Sequence, residues 1–191
     1  MYQWVEQADL KKIHLHFFDP SHNIHNNYNG YEWQERGLSG TKIVKANTGR
    51  SRVNVIGSIN ALTLEPVVLV TEANCNKELI CLWLDELRQK YQDDKTIVVV
   101  LDNAAYNRSY VVQEEAKRLN IQLEYLPPYC PNLNLIERLW KFLKKKVKTN
   151  NYCAKFEDFF DRIVKFFENI KQYEEELKSL LTLNFEIIQA S

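Results

Sequence analysis

The chain has 191 residues, of which 45% are hydrophobic and 12% aromatic, enough for one packed domain and hardly for two. No apolar run approaches the ~20 residues that span a bilayer, and the N-terminus has no signal-peptide pattern, so we expect a cytoplasmic protein. The four cysteines have no C-x-x-C spacing, so we expect reduced thiols without a disulfide or zinc role. The 25 basic and 25 acidic side chains cancel, so net charge does not decide the class of partner.

Basic side chains are nevertheless concentrated in two segments. From Arg36 to Arg52 there are five basic residues and no acid, and residues 141–148 contain five lysines. Patches of this kind bind phosphates even when carboxylates elsewhere cancel the total charge. A nucleic-acid partner therefore stays compatible with the composition.

The first half of the chain predicts antiparallel strands. Alternation of side chains at period two predicts a strand over residues 13–18 that ends at Asp19, a second strand over 28–34, and two more over 52–60 and 63–70. The connections between them are too short for crossovers, so neighbouring strands are expected to run antiparallel.

The second half alternates helices and strands. The predicted elements are a helix over 80–91, a buried strand over 96–101 that ends at Asp102, a helix from about Ser109 to Leu119, a strand over 121–125, a helix from about Asn132 to Lys148, and two closing amphipathic helices. This order predicts an α/β fold. We expect a ribonuclease H-like mixed five-stranded sheet flanked by helices, with extra C-terminal helices.

Three acids are candidates for a metal site. Asp19 and Asp102 follow predicted strands, and the carboxyl ends of neighbouring parallel strands meet at one edge of a sheet. Glu137 lies beside the apolar face of the helix over 132–148. Three converging carboxylates leave open positions on Mg²⁺ for water and phosphate, and two such ions assist phosphoryl transfer. Taken singly, each acid is more simply a turn-former, a cap or a partner of Lys141; the combination carries the prediction.

Three segments carry a resemblance to bacterial insertion-sequence transposases of the mariner superfamily. The second-aspartate motif is similar to residues 98–107, Val-Val-Val-Leu-Asp-Asn-Ala-Ala-Tyr-Asn. The glutamate motif resembles residues 126–144, from Leu-Pro-Pro-Tyr-Cys-Pro to Trp-Lys-Phe-Leu-Lys, and the 34 residues between Asp102 and Glu137 are typical of that group. The first-aspartate block resembles residues 17–22 and 30–33, although Pro20 departs from the usual pattern.

The resemblance implies the catalytic domain of a DNA transposase with the DDE triad Asp19, Asp102 and Glu137. It implies two Mg²⁺ ions, replaceable by Mn²⁺, and cleavage and strand transfer of double-stranded DNA at transposon ends, with insertion at TA dinucleotides. A dimer in the active complex and a bacterial or archaeal, nucleoid-associated location are also implied. The expected divisions are residues 1–12 as a lead-in, 13–150 as the catalytic domain and 151–191 as a helical extension.

Relatives usually carry helix-turn-helix modules before this domain, whereas eighteen residues precede Asp19 here. We therefore expect a separate polypeptide to supply DNA binding. Two other functions stay open on the sequence alone. One is a truncated, non-catalytic transposase remnant, and the other is a ribonuclease H-like nuclease of another kind.

Supporting residues are predicted around the triad. Three polar side chains are expected to orient the acids: Asn103, Asn134 and His22. The alternative for the two asparagines is ordinary hydrogen bonding in a loop and at a helix start. Two sets of basic residues are expected to contact DNA phosphates: Lys141, Lys144 and Lys148 on the helix face of Glu137, and Arg36, Arg50 and Arg52 on a second surface. A solvated lysine face is the competing interpretation.

Overall fold

A five-stranded mixed sheet with helices on both faces forms the centre of the protein. The computed structural model describes residues 2–26, 45, 49–128 and 131–183. The strands are β1 (Ile13–Ile24), β2 (Arg52–Asn60), β3 (Pro66–Thr71), β4 (Thr96–Leu101) and β5 (Ile121–Tyr125). The helices are α1 (Tyr2–Asp9), α2 (Lys77–Lys90), α3 (Tyr110–Arg118), α4 (Ile136–Val147), α5 (Phe156–Glu168) and α6 (Glu174–Leu180). No helix within these ranges is long and apolar enough to cross a membrane.

The strand order is β3-β2-β1-β4-β5. β1, β2 and β3 pair antiparallel, whereas β4 pairs parallel with both β1 and β5. The predicted mixed five-stranded sheet is therefore confirmed. The strand predicted over residues 28–34 lies outside the described residues.

β1 is longer than predicted, and the expectation that it ends at Asp19 is wrong. Its pairing with β2 continues from His16 to Ile24, whereas its pairing with β4 stops at Phe17. The carbonyl of Leu15 faces β2, where it accepts from the Ala61 N–H. The backbone N–H and C=O groups of even-numbered β1 residues therefore face the β4 side, where no strand pairs with β1 beyond Phe17. Pro20 is tolerated there because its missing N–H deprives no strand of a hydrogen bond.

The core is split between the two faces of the sheet. One face is covered by α4 and α5, and its buried residues include Leu15, Phe17, Val98, Val100, Leu139, Trp140, Leu143, Phe159 and Ile163. The opposite face is covered by α2 and α3, and its buried residues include Phe18, Ile56, Ile97, Val99, Leu101, Trp83, Leu84, Leu87 and Val112. The alternation along β1 and β4 thus decides which side chains point towards α4.

Two helices differ from the sequence-based expectation. α1 was not predicted at all, although it buries Ala8 against the core. α4 begins at Ile136 and not near Asn132, because residues Pro131–Leu133 form a separate 3₁₀ turn. α3, in contrast, begins as predicted, with the Ser109 side chain accepting from the Val112 N–H.

Candidate active site

Asp19 and Asp102 are brought together by the pairing of β1 with β4. The last parallel pair joins Phe17 to Val100, and each acid follows its member of that pair by two residues. Phe17 and Val100 both belong to the core beneath α4. Side chains two residues apart in a strand share a face, so Asp19, which lies within β1, is directed to the α4 side of the sheet. Asp102 lies one residue beyond the end of β4, and its charge acts on Asp19.

Glu137 reaches the same place from α4. It lies in the first turn of the helix, where the helix dipole favours a negative charge. Its neighbours Ile136 and Trp140 are buried against the sheet, which fixes the side of the helix that faces β1. The three acids predicted from the sequence therefore come from three separate elements, and the charges of Glu137 and Asp102 act on Asp19.

The charges of the three acids act on one another. Burial, together with the charges of Glu137 and Asp102, raises the pKa of Asp19 to about 8. Lys144 on α4 opposes this rise, but none of the three acids forms an ion pair with a lysine or arginine among the described residues. The cluster thus holds more negative charge than the surrounding side chains neutralise.

Trp140 carries a neutral donor near Asp19. Its indole N–H lowers the pKa of Asp19 by proximity. The two groups do not meet in hydrogen-bonding geometry, however, so this buried N–H has no partner within the described ranges. An indole N–H is a donor only, so it can hold a carboxylate oxygen but cannot bind a cation.

Asp102 is held by two N–H donors of its own loop. Its Oδ1 accepts from the Ala104 N–H at 3.0 Å and from Asn107 Nδ2 at 2.7 Å. The predicted partner Asn103 does not contact this carboxylate, because its amide instead donates to the Leu126 carbonyl and accepts from Arg108. Asn107 was missed by the sequence analysis, although it lies within the motif over residues 98–107.

The other two predicted supporting residues have different outcomes. Asn134 donates to the Phe18 carbonyl at 2.9 Å, so it binds the unpaired edge of β1 directly before Asp19 and ties it to the start of α4. His22 lies three residues after Asp19 in the same strand, and an odd separation places it on the opposite face. Its imidazole bonds Asn54 at 2.6 Å on that face, so the expectation that it supports the site is wrong.

Two uncharged side chains near the acids were not predicted. The charges of Asp19 and Asp102 add to burial in raising the pKa of the Cys75 thiol to about 11 and that of Tyr106 well above its ordinary value. Cys75 lies in the connection after β3, where nothing in the sequence marks it. Tyr106 lies within the second-aspartate motif, and its position there was the available signal.

The predicted basic residues divide by exposure. Lys141 and Lys144 are exposed on α4. Lys148 lies beyond the end of α4 and is only 6% exposed, and burial lowers its pKa. The expectation that it shares the exposed face is therefore wrong.

The second predicted basic surface is described only in part. Arg50 and Arg52 are exposed at the start of β2, where Arg52 pairs with Ile24 and contacts Asn74. Arg36 lies outside the described residues.

The donor set fits a hard divalent cation. It consists of carboxylate oxygens, which Mg²⁺ and Mn²⁺ prefer, and their mutual repulsion favours a bound cation. No three His, Cys, Asp or Glu side chains in the described ranges are already arranged to close around an ion. The fit therefore rests on the chemistry of Asp19, Asp102 and Glu137.

Residues 14–170 match the family model described as DDE superfamily endonuclease. An uncharacterized 39 kDa protein of insertion element IS630 from Shigella sonnei is 26% identical over 162 residues, which are 84% of this chain and 46% of that protein. The uncharacterized protein y4pE/y4sA of Sinorhizobium fredii (strain NBRC 101917 / NGR234) is 29% identical over 84 residues, 44% of this chain and 60% of that protein. The chain thus spans about half the length of these relatives.

Solved structures share the fold. The Mos1 mariner paired end complex with Mn has a TM-score of 0.62 at 13% identity, over 97% of this chain and 61% of that chain. The catalytic core domain of BIV integrase has a TM-score of 0.52 at 15% identity, over 87% of this chain and 97% of that chain. The predicted ribonuclease H-like fold is therefore confirmed, and so is the resemblance to DDE transposases.

Proposed function

Because this chain belongs to the DDE superfamily endonucleases, we propose that it is the catalytic part of a DNA transposase that cuts and rejoins DNA strands with Asp19, Asp102 and Glu137. One observation carries the proposal. Burial, together with the charges of Glu137 on α4 and of Asp102 after β4, raises the pKa of Asp19 in β1 to about 8.

The reaction has two phosphoryl-transfer steps. In the first, water attacks a phosphodiester at the element end, the bond to the 3′ oxygen breaks, and a 3′-hydroxyl is released. In the second, that hydroxyl attacks a phosphodiester of the target and releases a new 3′-hydroxyl there. The protein forms no covalent bond to the DNA in either step, so it acts mainly by holding the attacking and leaving oxygens in line.

The chain's own residues supply that positioning. Two N–H donors fix Asp102, and Asn134 fixes the β1 edge that carries Asp19. Asp19, Asp102 and Glu137 would hold Mg²⁺ or Mn²⁺, two ions during the reaction. When bound, such ions stabilise the charge on the attacking and leaving oxygens.

Double-stranded DNA is the proposed substrate, as transposon end and as target, with TA as the insertion site. Lys141 and Lys144 would contact its phosphates, because both are exposed on the helix that carries Glu137. A dimer and a separate DNA-binding polypeptide are proposed for the active complex. We also propose residues 13–150 as the catalytic domain and 151–191 as a helical extension packed on it, supported by the burial of Phe159 and Ile163.

Nicking of supercoiled plasmid at low salt with Mn²⁺ tests the triad. We expect the wild type to nick and Glu137→Gln to lower the rate by roughly 100-fold or more. The variant lacks a carboxylate that would hold the ions, and those ions would stabilise the charge on the reacting oxygens. Glu86→Gln is the matched control, since it makes the same change at an exposed position of α2 and should nick at the wild-type rate.

Two results would contradict the proposal. Equal rates for the wild type and Glu137→Gln would remove Glu137 from the site. Faster cleavage of an RNA–DNA hybrid than of duplex DNA, still abolished by Glu137→Gln, would instead indicate a ribonuclease H-like nuclease of another kind.

A further inference from the structure

Asn107 occupies an unusual position beside Asp102. Its side chain is 0% exposed, and its Nδ2 donates to Asp102 Oδ1 at 2.7 Å. Its backbone is anchored as well, because the Tyr125 hydroxyl at the end of β5 donates to the Asn107 carbonyl at 2.9 Å. The amide is thus held from the sheet side, and both of its acceptors belong to Asp102: Oδ1 at 2.7 Å and the backbone carbonyl at 3.5 Å.

Only one end of this buried amide is hydrogen-bonded. Asn107 Oδ1 is buried and has no hydrogen-bond partner within the described residues. An unsatisfied buried polar atom destabilises a fold, and an apolar residue at this position would avoid that loss. A polar side chain kept in such a place indicates a role in orienting Asp102 and not in stabilising the loop.

The chemical type of the donor is also informative. Asp102 Oδ1 receives two hydrogen bonds, one from Asn107 and one from the Ala104 N–H. Both donors are uncharged, so they fix the orientation of the carboxylate without neutralising it. A lysine or arginine in the same place would compete with a divalent cation for the negative charge.

We propose that Asn107 is a positioning residue that locks Asp102 by its Oδ1 and so leaves Oδ2 directed at a divalent cation. This inference rests on the proposed function, because it takes Asp102 to be an ion ligand. Tyr125 then has an indirect role, because its hydroxyl holds the Asn107 backbone. Partners of this kind behind a metal ligand typically change affinity by about 10-fold to 100-fold when they are removed.

Binding of Mn²⁺ alone to the full chain tests the proposal. Bound ion is measured by the loss of the free-ion signal in electron paramagnetic resonance, and unfolding by urea is measured separately without metal. For Asn107→Ala we expect Mn²⁺ affinity to fall by about 10-fold or more. Gln113→Ala is the matched control, because its amide bonds the Arg108 carbonyl of the same loop without contacting Asp102, and it should bind Mn²⁺ like the wild type.

The outcomes are distinguishable. Wild-type Mn²⁺ affinity in a folded Asn107→Ala variant overturns the positioning role alone. Failure of the wild type itself to bind Mn²⁺ overturns the proposed metal site and this inference with it. If Asn107→Ala does not fold, Tyr125→Phe decides, since it removes one hydroxyl: weaker Mn²⁺ binding supports the role, and unchanged binding overturns it.

Discussion

His16 is a buried histidine whose two ring nitrogens both meet hydroxyl groups. Nδ1 lies 2.9 Å from Ser58 Oγ, and Nε2 lies 3.0 Å from the Tyr91 hydroxyl. Burial, with the nearby charges of His14 and Lys90, lowers the pKa of His16 to about 3. The imidazole is therefore neutral in the folded protein over the whole range in which an exposed histidine gains its proton.

This burial makes the stability of the fold sensitive to acid. The unfolded chain protonates His16 near its ordinary pKa of 6.5, whereas the folded chain does so only near 3. The contribution of neutral His16 to the free energy of unfolding is complete above pH 6.5. It is lost as the pH falls from 6.5 towards 3, by up to about 1.4 kcal/mol per pH unit. Urea unfolding at several pH values should show this slope in the wild type and lack it in His16→Gln.

An exposed histidine provides the control for that experiment. His22→Gln makes the same substitution at a surface position, so it separates the effect of the substitution itself from the loss of the buried imidazole. Identical slopes for the wild type and His16→Gln would mean that the folded protein protonates His16 normally.

Residue-level prediction failed where local geometry decides which side chains meet. The three acids stay a prediction, which rests on the resemblance of their flanking sequences to known motifs. Asparagines stand one and five residues after Asp102, and only the turn over residues 104–108 determines that Asn107, not Asn103, faces it. His22 was misassigned because the continuation of β1 past Pro20 was not foreseen.

At the scale of elements, the pairing of β1 with β2 sets the position of Asp19. The residue opposite Asp19 is Gly57. A Cβ at this glycine would lie 2.6 Å from Val68 Cγ1 and 2.7 Å from the Val67 carbonyl oxygen. β3 therefore packs against β2 at a point where only a residue without a side chain fits.

We expect Gly57→Ala to destabilise the protein by about 1–3 kcal/mol, because β3 must move away from β2. Urea unfolding measures the loss. Adding Val68→Ala should restore only part of it, since that change removes the methyl contact and leaves the Val67 carbonyl in place. An unfolding free energy equal to that of the wild type in Gly57→Ala would show that the sheet adjusts without strain.

Element boundaries were predictable where a local signal marks them. The apolar run of β4 and the Ser109 cap of α3 gave bounds that the structure confirms. α4 was predicted to start too early, because helical periodicity continues through residues whose backbone forms a 3₁₀ turn. Whether α1 packs on the core depends on tertiary contacts that eight residues alone do not reveal.

For the whole molecule, the distribution of charge matters more than its sum. The net charge is zero, yet Lys141 and Lys144 are exposed on the helix that carries Glu137. These lysines place positive charge on the helix of Glu137, which would reduce the repulsion between DNA phosphates and the carboxylates.

Salt dependence of DNA binding tests this surface. Each phosphate contact releases counterions, so Lys141→Gln and Lys144→Gln should each lower the slope of log affinity against log salt by about 1. Fluorescence anisotropy with a duplex of arbitrary sequence provides the measurement. Lys117→Gln is the control, since Lys117 lies beside Thr96 at the opposite end of β4, and it should keep the wild-type slope. Equal slopes in all variants would place the DNA elsewhere.

The central position of β1 has a consequence for how the protein is made. During translation β1, β2 and β3 leave the ribosome before β4, the parallel partner of β1, which follows only after α2. Until then the nascent chain carries an apolar strand, including Leu15 and Phe17, with one edge uncovered. Such edges pair with other chains. The yield of soluble protein is therefore expected to depend on translation speed and chaperone supply more than the stability of the finished fold suggests.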